Sequence, residues 1–241
     1  MNLFTSDELY VLASLLGKEF IIGIEGRTLE ENRARLPEMF EENFKSLESK
    51  GVFEYKIDGT LLIDREVRDS VARLNDADTV YLIATDRNGK KENVIYLGNK
   101  GSFCKLISEA SRYALEMVDT VSYERILSDY GVVIPDSPSK CAEILLEDFK
   151  RLDRLYDSFN SKEADEFLMS VIDDADTAGL LRECLTKRNG FLVLKRFDRV
   201  DSHLVNNRDT LLMLRYINGR MIAFSVEGIN TVKINIFEEN N

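Results

Sequence analysis

The sequence predicts an α+β fold in two pseudo-symmetric halves, each made of helices and a block of antiparallel strands. Two blocks of short apolar runs, rich in β-branched and aromatic residues and bounded by turn residues, lie at 79–119 and 191–237. Helical patterns precede each block in the same order, a short helix and then a long one. We interpret this agreement as an internal duplication, with halves 1–120 and 121–241 in one compact unit.

The first half opens with two predicted helices. The first begins at Thr5, because Thr5-Ser6-Asp7-Glu8 is a capping box, and it ends at Gly17. A short apolar run at 20–24 predicts a strand. A longer helix is predicted from Thr28 to Lys50, and Pro37 kinks or splits it because proline removes a backbone donor.

A hairpin and a third helix then lead into the first strand block. Gly51 to Ile63 predicts the hairpin, since Asp58-Gly59 fits a two-residue turn with positive φ. Asp64 is predicted to cap a helix through Val67, Val71 and Leu74. The four strands of the block are predicted at 80–83, 94–97, 103–107 and 113–118.

The second half repeats this plan. A short helix follows Ser122, and a long one is predicted from Ser139 to Ser158. The apolar face of the long helix fits core packing or, alternatively, a dimer face or a groove for a partner helix. Further helices are predicted from Ser161 and from Thr177 before the strands at 191–194, 211–217, 221–226 and 232–237.

Composition favours a soluble globular protein of the cytoplasm. Hydrophobic residues make up 44% and charged residues 31% of the 241 residues. No basic segment followed by an apolar one opens the sequence, and no apolar run reaches the roughly 18 residues that span a membrane. The three cysteines, Cys104, Cys141 and Cys184, are far apart, which predicts buried thiols in a reducing compartment. The net charge of -11 disfavours nucleic acid as a partner.

Few residues indicate a reaction. His203 is the only histidine, and its polar surroundings predict a surface residue rather than a catalyst. Asp173, Asp174 and Asp176 form a candidate cation site, but without the Gly and Glu of a calcium loop they fit a helix N-terminus better. Phosphate-binding, nucleophile-elbow and dinucleotide motifs are all missing from the sequence. We therefore predict a binding protein, not an enzyme, with no metal and no cofactor; an enzyme with paired carboxylates between the halves ranks last.

The residues of the first half carry a family resemblance. The run from Thr5 to Gly17, the segment Leu47 to Val52, Asp58-Gly59 and the segment Ile63 to Val67 resemble the EspG family of type VII (ESX) secretion chaperones. The duplicated helix-then-sheet plan extends this resemblance to nearly the whole chain. It implies a cytosolic, non-enzymatic adaptor that covers the apolar helical tip of a secreted heterodimer until export. A Firmicute-like branch of such secretion systems is a further hypothesis.

A docking surface is predicted on the second strand block. The tip of a helical secreted protein or heterodimer could lie against Phe197, Leu204 and Phe224 there, because apolar anchors dominate most protein interfaces. A homodimer is an alternative partner.

The alternative to a chaperone is a transcriptional regulator. The segment Thr28 to Asp64, a helix followed by a two-stranded wing, is similar to part of a winged-helix module. Its helix carries more glutamates than basic residues, which is the wrong sign for DNA.

Overall fold

The structure is a computed structural model that describes residues 2–18, 20–24, 33–87, 90–99, 101–109, 111–158, 160–187, 190–201, 203–217 and 219–238. These residues form seven α-helices, a large antiparallel sheet and a small two-stranded sheet. The fold class is α+β, as the sequence predicts. Within these ranges, every helix is too short or too polar to cross a bilayer.

The chain divides into two compact units built from interleaved segments. The first unit comprises Met1–Tyr81, Asn93–Ile126 and Asp198–Leu204. The second comprises Leu82–Glu92, Leu127–Phe197 and Val205–Asn241. The internal duplication and its boundary at residue 120 remain predictions.

The first unit contains helices α1 to α4 and most of the first strands. Its elements are β1 (Leu3–Thr5), α1 (Ser6–Leu15), α2 (Leu36–Ser49), β2 (Phe53–Tyr55), β3 (Leu61–Ile63), α3 (Arg65–Asp76), β4 (Thr79–Arg87), β5 (Lys90–Asn99), β6 (Ser102–Glu109), β7 (Arg112–Val118) and α4 (Tyr123–Asp129). Residues 82–92 of β4 and β5, and the last turn of α4, belong to the second unit. Strands β1, β7, β6 and β5 are neighbours in that order, and β2 pairs with β3.

The predicted start of α1 is confirmed. The Thr5 hydroxyl accepts from the Glu8 backbone N–H at 3.2 Å, and the Glu8 carboxylate accepts from the Thr5 N–H at 2.7 Å. Phe4 and Leu9, which flank this cap in the arrangement of a hydrophobic staple, are both buried. Gly17 follows the helix with φ of 67°, the left-handed conformation that ends many helices.

Two predictions in the first unit need correction. Residues 20–24 form no strand; they cover the C-terminal end of α3, where the Ile22 N–H donates to the Leu74 carbonyl at 2.7 Å. The long helix begins at Leu36, with Pro37 in its first turn, so the proline opens α2 and does not interrupt it. The earlier part of the predicted helix, 28–32, lies outside the described residues.

The predicted hairpin is present, but its turn is longer than two residues. Tyr55 pairs with Leu61, and the Gly59 N–H donates to the Lys56 carbonyl while Lys56 donates to the Thr60 carbonyl. Gly59 has φ of 80°. This geometry is a turn followed by a left-handed residue, the usual form of the next longer hairpin loop.

The second unit contains the remaining helices and strands. Its elements are β8 (Lys140–Leu145), α5 (Leu146–Asp157), α6 (Ser161–Val171), α7 (Ala175–Thr186), most of β9 (Phe191–Val200), most of β10 (His203–Ile217), β11 (Arg220–Glu227) and β12 (Thr231–Glu238). Strands β10, β11, β12 and β8 are neighbours in that order, and the pairs that they form are antiparallel. The predicted helices from Ser161 and Thr177 are confirmed as α6 and α7.

The predicted helix from Ser139 is wrong over its first seven residues, 139–145. Lys140–Leu145 forms strand β8, which pairs with β12 from Ile236 to Thr231. The helical spacing of the apolar residues is real only from Leu146 onward, where α5 begins. Pairing with a strand some 90 positions away decided the conformation, and a local pattern carries no information about such a partner.

The apolar residues of α5 belong to the core of the second unit, in keeping with the core-packing interpretation. Leu152 is fully buried and Tyr156 is 8% exposed. The same core contains Leu168, Leu181, Ile222, Phe224, Ile234 and Ile236.

Candidate partner-binding surface

The three predicted contact residues have different environments. Phe224 on β11 is only 3% exposed and packs in the core of the second unit, with its ring centroid 5.6 Å from that of Phe149. Phe197 on β9 is half-buried in the same unit, and Leu204 on β10 is half-buried in the first unit. Phe197 and Leu204 thus have side-chain area available to a partner, and Phe224 has almost none. Their contact role remains a prediction.

The first unit exposes apolar side chains on the β2–β3 hairpin, which sequence reasoning did not identify as a surface. Ile57 at its tip is fully exposed, Tyr55 is 57% exposed and Leu62 is 37% exposed. We call Tyr55, Ile57 and Leu62 the apolar hairpin. Phe53 and Tyr55 are two positions apart on β2, the spacing of side chains on one face, so no sequence pattern distinguishes the exposed Tyr55 from the buried Phe53.

The base of the hairpin is well anchored. Phe53 is 8% exposed and stacks on Phe44 of α2 with ring centroids 5.3 Å apart. The Asp64 N–H donates to the Val52 carbonyl at 2.7 Å, and the Tyr55 hydroxyl donates to the Glu48 carboxylate at 2.8 Å. The apolar tip is therefore carried by a fixed base, which limits the entropy that a partner must remove on binding.

A buried charge network fixes α1 to α2 beside this hairpin. The Glu8 side chain is 1% exposed and accepts from Lys50 Nζ at 2.5 Å, from Ser46 Oγ at 2.7 Å and from the Thr5 N–H. Burial on its own raises the pKa of the Glu8 carboxyl, but the hydrogen bonds from Lys50, Ser46 and Thr5 outweigh it and hold the pKa below its ordinary value. Glu8 therefore stays ionised and paired.

Helix α2 and the hairpin form the predicted helix-and-wing element. Three glutamates, Glu38, Glu41 and Glu42, are exposed on α2, and Lys45 is an exposed lysine of the same helix. Phosphate groups are bound by neutralising them with basic side chains. The surface of this helix is thus acidic, and the regulator interpretation gains no support from it.

Two of the three aspartates of the candidate cation site, Asp174 and Asp176, contact basic side chains. Asp174 caps α7 by accepting from the Thr177 N–H at 2.9 Å, as the sequence predicts. Lys140 Nζ lies 3.0 Å from both Asp174 and Asp176, and Arg220 also contacts Asp176 at 3.1 Å. The hydrogen bonds from Thr177 and then that from Lys140 lower the pKa of Asp174 to about 2. Asp174 and Asp176 are thus already neutralised by the protein's own cations.

Nucleophilic and metal-binding side chains are scattered. Burial raises the pKa of the Cys104 and Cys184 thiols to about 12, whereas Cys141 is exposed, which corrects the prediction of three buried thiols. His203 is exposed on β10, as predicted. Across the described residues, no three His, Cys, Asp or Glu side chains converge closely enough to hold a metal ion.

Comparison with protein-family models gives no match, and comparison with curated proteins gives none either. Among solved structures, the chain is similar to the Mycobacterium tuberculosis type VII secretion system chaperone EspG5, solved in complex with the PE25-PPE41 dimer. The TM-score is 0.70 at 13% sequence identity, over 97% of this chain and 90% of the matched chain. The chain thus has an EspG-like fold, as the resemblance of its sequence implies.

Proposed function

We propose that the chain is a cytosolic, non-enzymatic chaperone that binds a helical secreted protein or heterodimer of a type VII-like secretion system and keeps it soluble for export. The observation that carries the proposal is the agreement in fold over 97% of the chain with a chaperone of such a system, solved with its bound dimer. A Firmicute-like origin of the system is part of the proposal.

The surface of the described residues fits this role. A protein that shields apolar helices needs apolar side chains on a preformed surface, and the apolar hairpin provides three of them on an anchored base. The net charge of -11 keeps such a protein soluble while apolar groups are exposed. Association needs no metal, no cofactor and no reaction, so the proposal includes none.

The proposed contacts of the partner are Phe197, Leu204 and Phe224, of which Phe224 lies in the core of the second unit. The half-buried side chains can lose their remaining exposed area to an apolar helix, and a truncation at an interface centre commonly costs more than about 1 kcal/mol of binding free energy. Phe224 contributes chiefly through the packing of β11 against Phe149. Its replacement therefore acts on folding before it acts on binding.

The proposal is tested by co-expression with candidate helical secreted proteins of a type VII-like system from the same organism. We expect Phe197→Ala and Leu204→Ala each to lower the amount of partner that co-purifies, with thermal unfolding close to that of the parent chain. Met169→Ala, which truncates an exposed apolar residue of α6, is the matched control and should leave the complex intact. If Phe197→Ala and Leu204→Ala both co-purify as much partner as the parent chain does, these contacts are overturned. If the parent chain itself forms no complex, the chaperone role is overturned.

A homodimer is the proposed resting state to be checked in the same preparations. Light scattering after gel filtration distinguishes a chain of 27.6 kDa from its dimer. A dimer that dissociates when the helical partner is added indicates a shared surface.

A further inference from the structure

Strand β8 is the last strand of the sheet in the second unit, and no strand in the described part of the chain pairs with its outer edge. It pairs with β12 on one side, with Cys141 opposite Asn235 and Glu143 opposite Lys233. The Leu146 N–H donates to the Asn230 carbonyl at 2.8 Å, which makes 146 and 230 a hydrogen-bonded pair. Such hydrogen-bonded pairs recur at every second residue of an antiparallel ladder, and Cys141 and Glu143 occupy the positions in between. Their backbone N–H and C=O groups therefore point away from β12.

A side-chain contact agrees with this alternation. The Cys141 Sγ lies 3.3 Å from the Asn235 Oδ1, the close approach typical of residues that face each other without exchanging backbone hydrogen bonds. Within the described residues, no backbone group pairs with the outward N–H and C=O groups of Cys141 and Glu143. Unpaired groups of this kind are a template for one more strand.

A groove of about 490 Å³ runs beside this edge. One side consists of residues 140–143, and the other is the turn between α6 and α7, from Val171 to Asp174, with Thr177. Ala142 and Val171 are half-buried, so the side of the groove that faces the core offers apolar side-chain area. An added strand would therefore meet apolar side chains on its inner face.

The outer face is acidic. Glu143 lies on the side away from the core, since its neighbour Ile144 is buried in the core. Glu143 and Asp173 are exposed and form no ion pair with any described residue. Lys233, the lysine opposite Glu143, is bound to Glu227 at 3.0 Å and interacts with Glu143 only through the longer-range attraction of their charges. Lys140, the lysine of the groove, is held by Asp174 and Asp176. The groove is thus lined by three carboxylates, those of Glu143, Asp173 and Asp174, against the one lysine.

From these observations we infer that the β8 edge binds an extended segment of a partner protein in which basic and apolar residues alternate. The segment adds as a strand to β8, with its apolar side chains on Ala142 and Val171 and its basic side chains toward Glu143. Charge favours this partner over a second copy of the chain, because symmetric pairing of two β8 strands would bring two acidic grooves together. The inference stands independently of the helical partner.

The test uses the full chain and a blocked peptide of sequence Lys-Val-Lys-Val-Lys-Val. We expect the amide protons of Cys141 and Glu143 to exchange quickly in the free chain and to be protected by the peptide. The matched peptides are one with glutamate in place of lysine, and one with N-methyl groups on the alternate nitrogens that would face β8. Both should bind about tenfold more weakly or worse, since the first reverses the charge and the second removes the ladder.

The matched variants are Glu143→Lys and Glu166→Lys, which change the net charge equally. Glu143→Lys should lower the affinity for the Lys-Val peptide about tenfold, and Glu166→Lys on α6 should leave this affinity nearly unchanged. The inference is overturned if the N-methylated peptide binds as tightly as the Lys-Val peptide, or if Glu143→Lys and Glu166→Lys lower the affinity equally. Either result means that only general attraction between charges holds the peptide. The inference is also overturned if, without peptide, the amide protons of Cys141 and Glu143 become protected from exchange as the protein concentration rises, because the β8 strands of two copies then pair with each other.

Discussion

Replacement of Lys50 by methionine tests the buried network that joins α1 to α2. Methionine keeps most of the aliphatic stem of lysine and removes only its charge and donors. The Glu8 carboxylate, 1% exposed, then keeps Ser46 Oγ and the Thr5 N–H but loses its counter-ion. Removal of one partner from a fully buried ion pair costs about 3–5 kcal/mol.

The expected cost here is lower, about 2–3 kcal/mol, because the Lys50 side chain is 22% exposed and two donors to Glu8 remain. For a chain of this size that corresponds to a fall of about 4–12 °C in the midpoint of thermal unfolding. Lys18→Met is the matched control. Lys18 pairs with Asp76, whose side chain is 41% exposed, so the loss should stay below about 1 kcal/mol.

The difference between Lys50→Met and the parent chain should depend on pH. In the parent chain the pKa of Glu8 is below its ordinary value near 4.5, so its stabilising contribution is present above pH 4.5 and is lost as the pH falls through the folded pKa. Protonation of Glu8 also removes the penalty of an unpaired buried charge in the variant. The unfolding free energies, measured by denaturant titration, should therefore converge at acid pH. A pH-independent difference, or one no larger than that of Lys18→Met, refutes the network as described.

Three further predictions concern packing, capping and thiol reactivity. Gly98→Ala should lower the free energy of unfolding, measured by denaturant titration, by about 1–3 kcal/mol, because a new Cβ would overlap the Phe103 ring on the paired strand. An unchanged free energy of unfolding contradicts that packing. Asp174→Ala should lower the midpoint of thermal unfolding, and the control Asp173→Ala should not. The difference between Asp174→Ala and the parent chain should vanish as the pH falls from 3.8 through about 2, because the Asp174 carboxylate is then protonated and no longer caps the helix. Equal effects of the two substitutions contradict the capping role. Alkylation of the folded chain near neutral pH should modify Cys141 alone, and mass spectrometry that shows labelled Cys104 or Cys184 refutes their burial.

Local patterns predicted most of the helices because the determinants of those helices are close in sequence. The capping box of α1 and the cap of α3 at Asp64 each involve residues three positions apart, and both are present. The hairpin was predicted from Asp58-Gly59, but the length of its loop depends on which residues of the two strands pair. Turn residues indicate that the chain reverses and do not fix the register.

Long-range pairing accounts for what the sequence did not reveal. Strand β8 has a helical pattern of apolar residues and is a strand because β12 is beside it. The burial of Phe224 likewise depends on which face of β11 the helices cover, and its partner Phe149 is 75 positions away. Glu8 and Lys50 are paired across 42 positions, so neither could be predicted to form a buried network from its own neighbours.

A chaperone of the proposed kind keeps its helical secreted partner soluble. This is measured as the solubility of a candidate secreted pair from the same organism, expressed with and without the chain, followed by light scattering of the purified material. We expect the pair to be insoluble alone and to purify as a stoichiometric complex when the chain is present. A pair whose solubility is unchanged by the chain, with no complex on gel filtration, contradicts the claim.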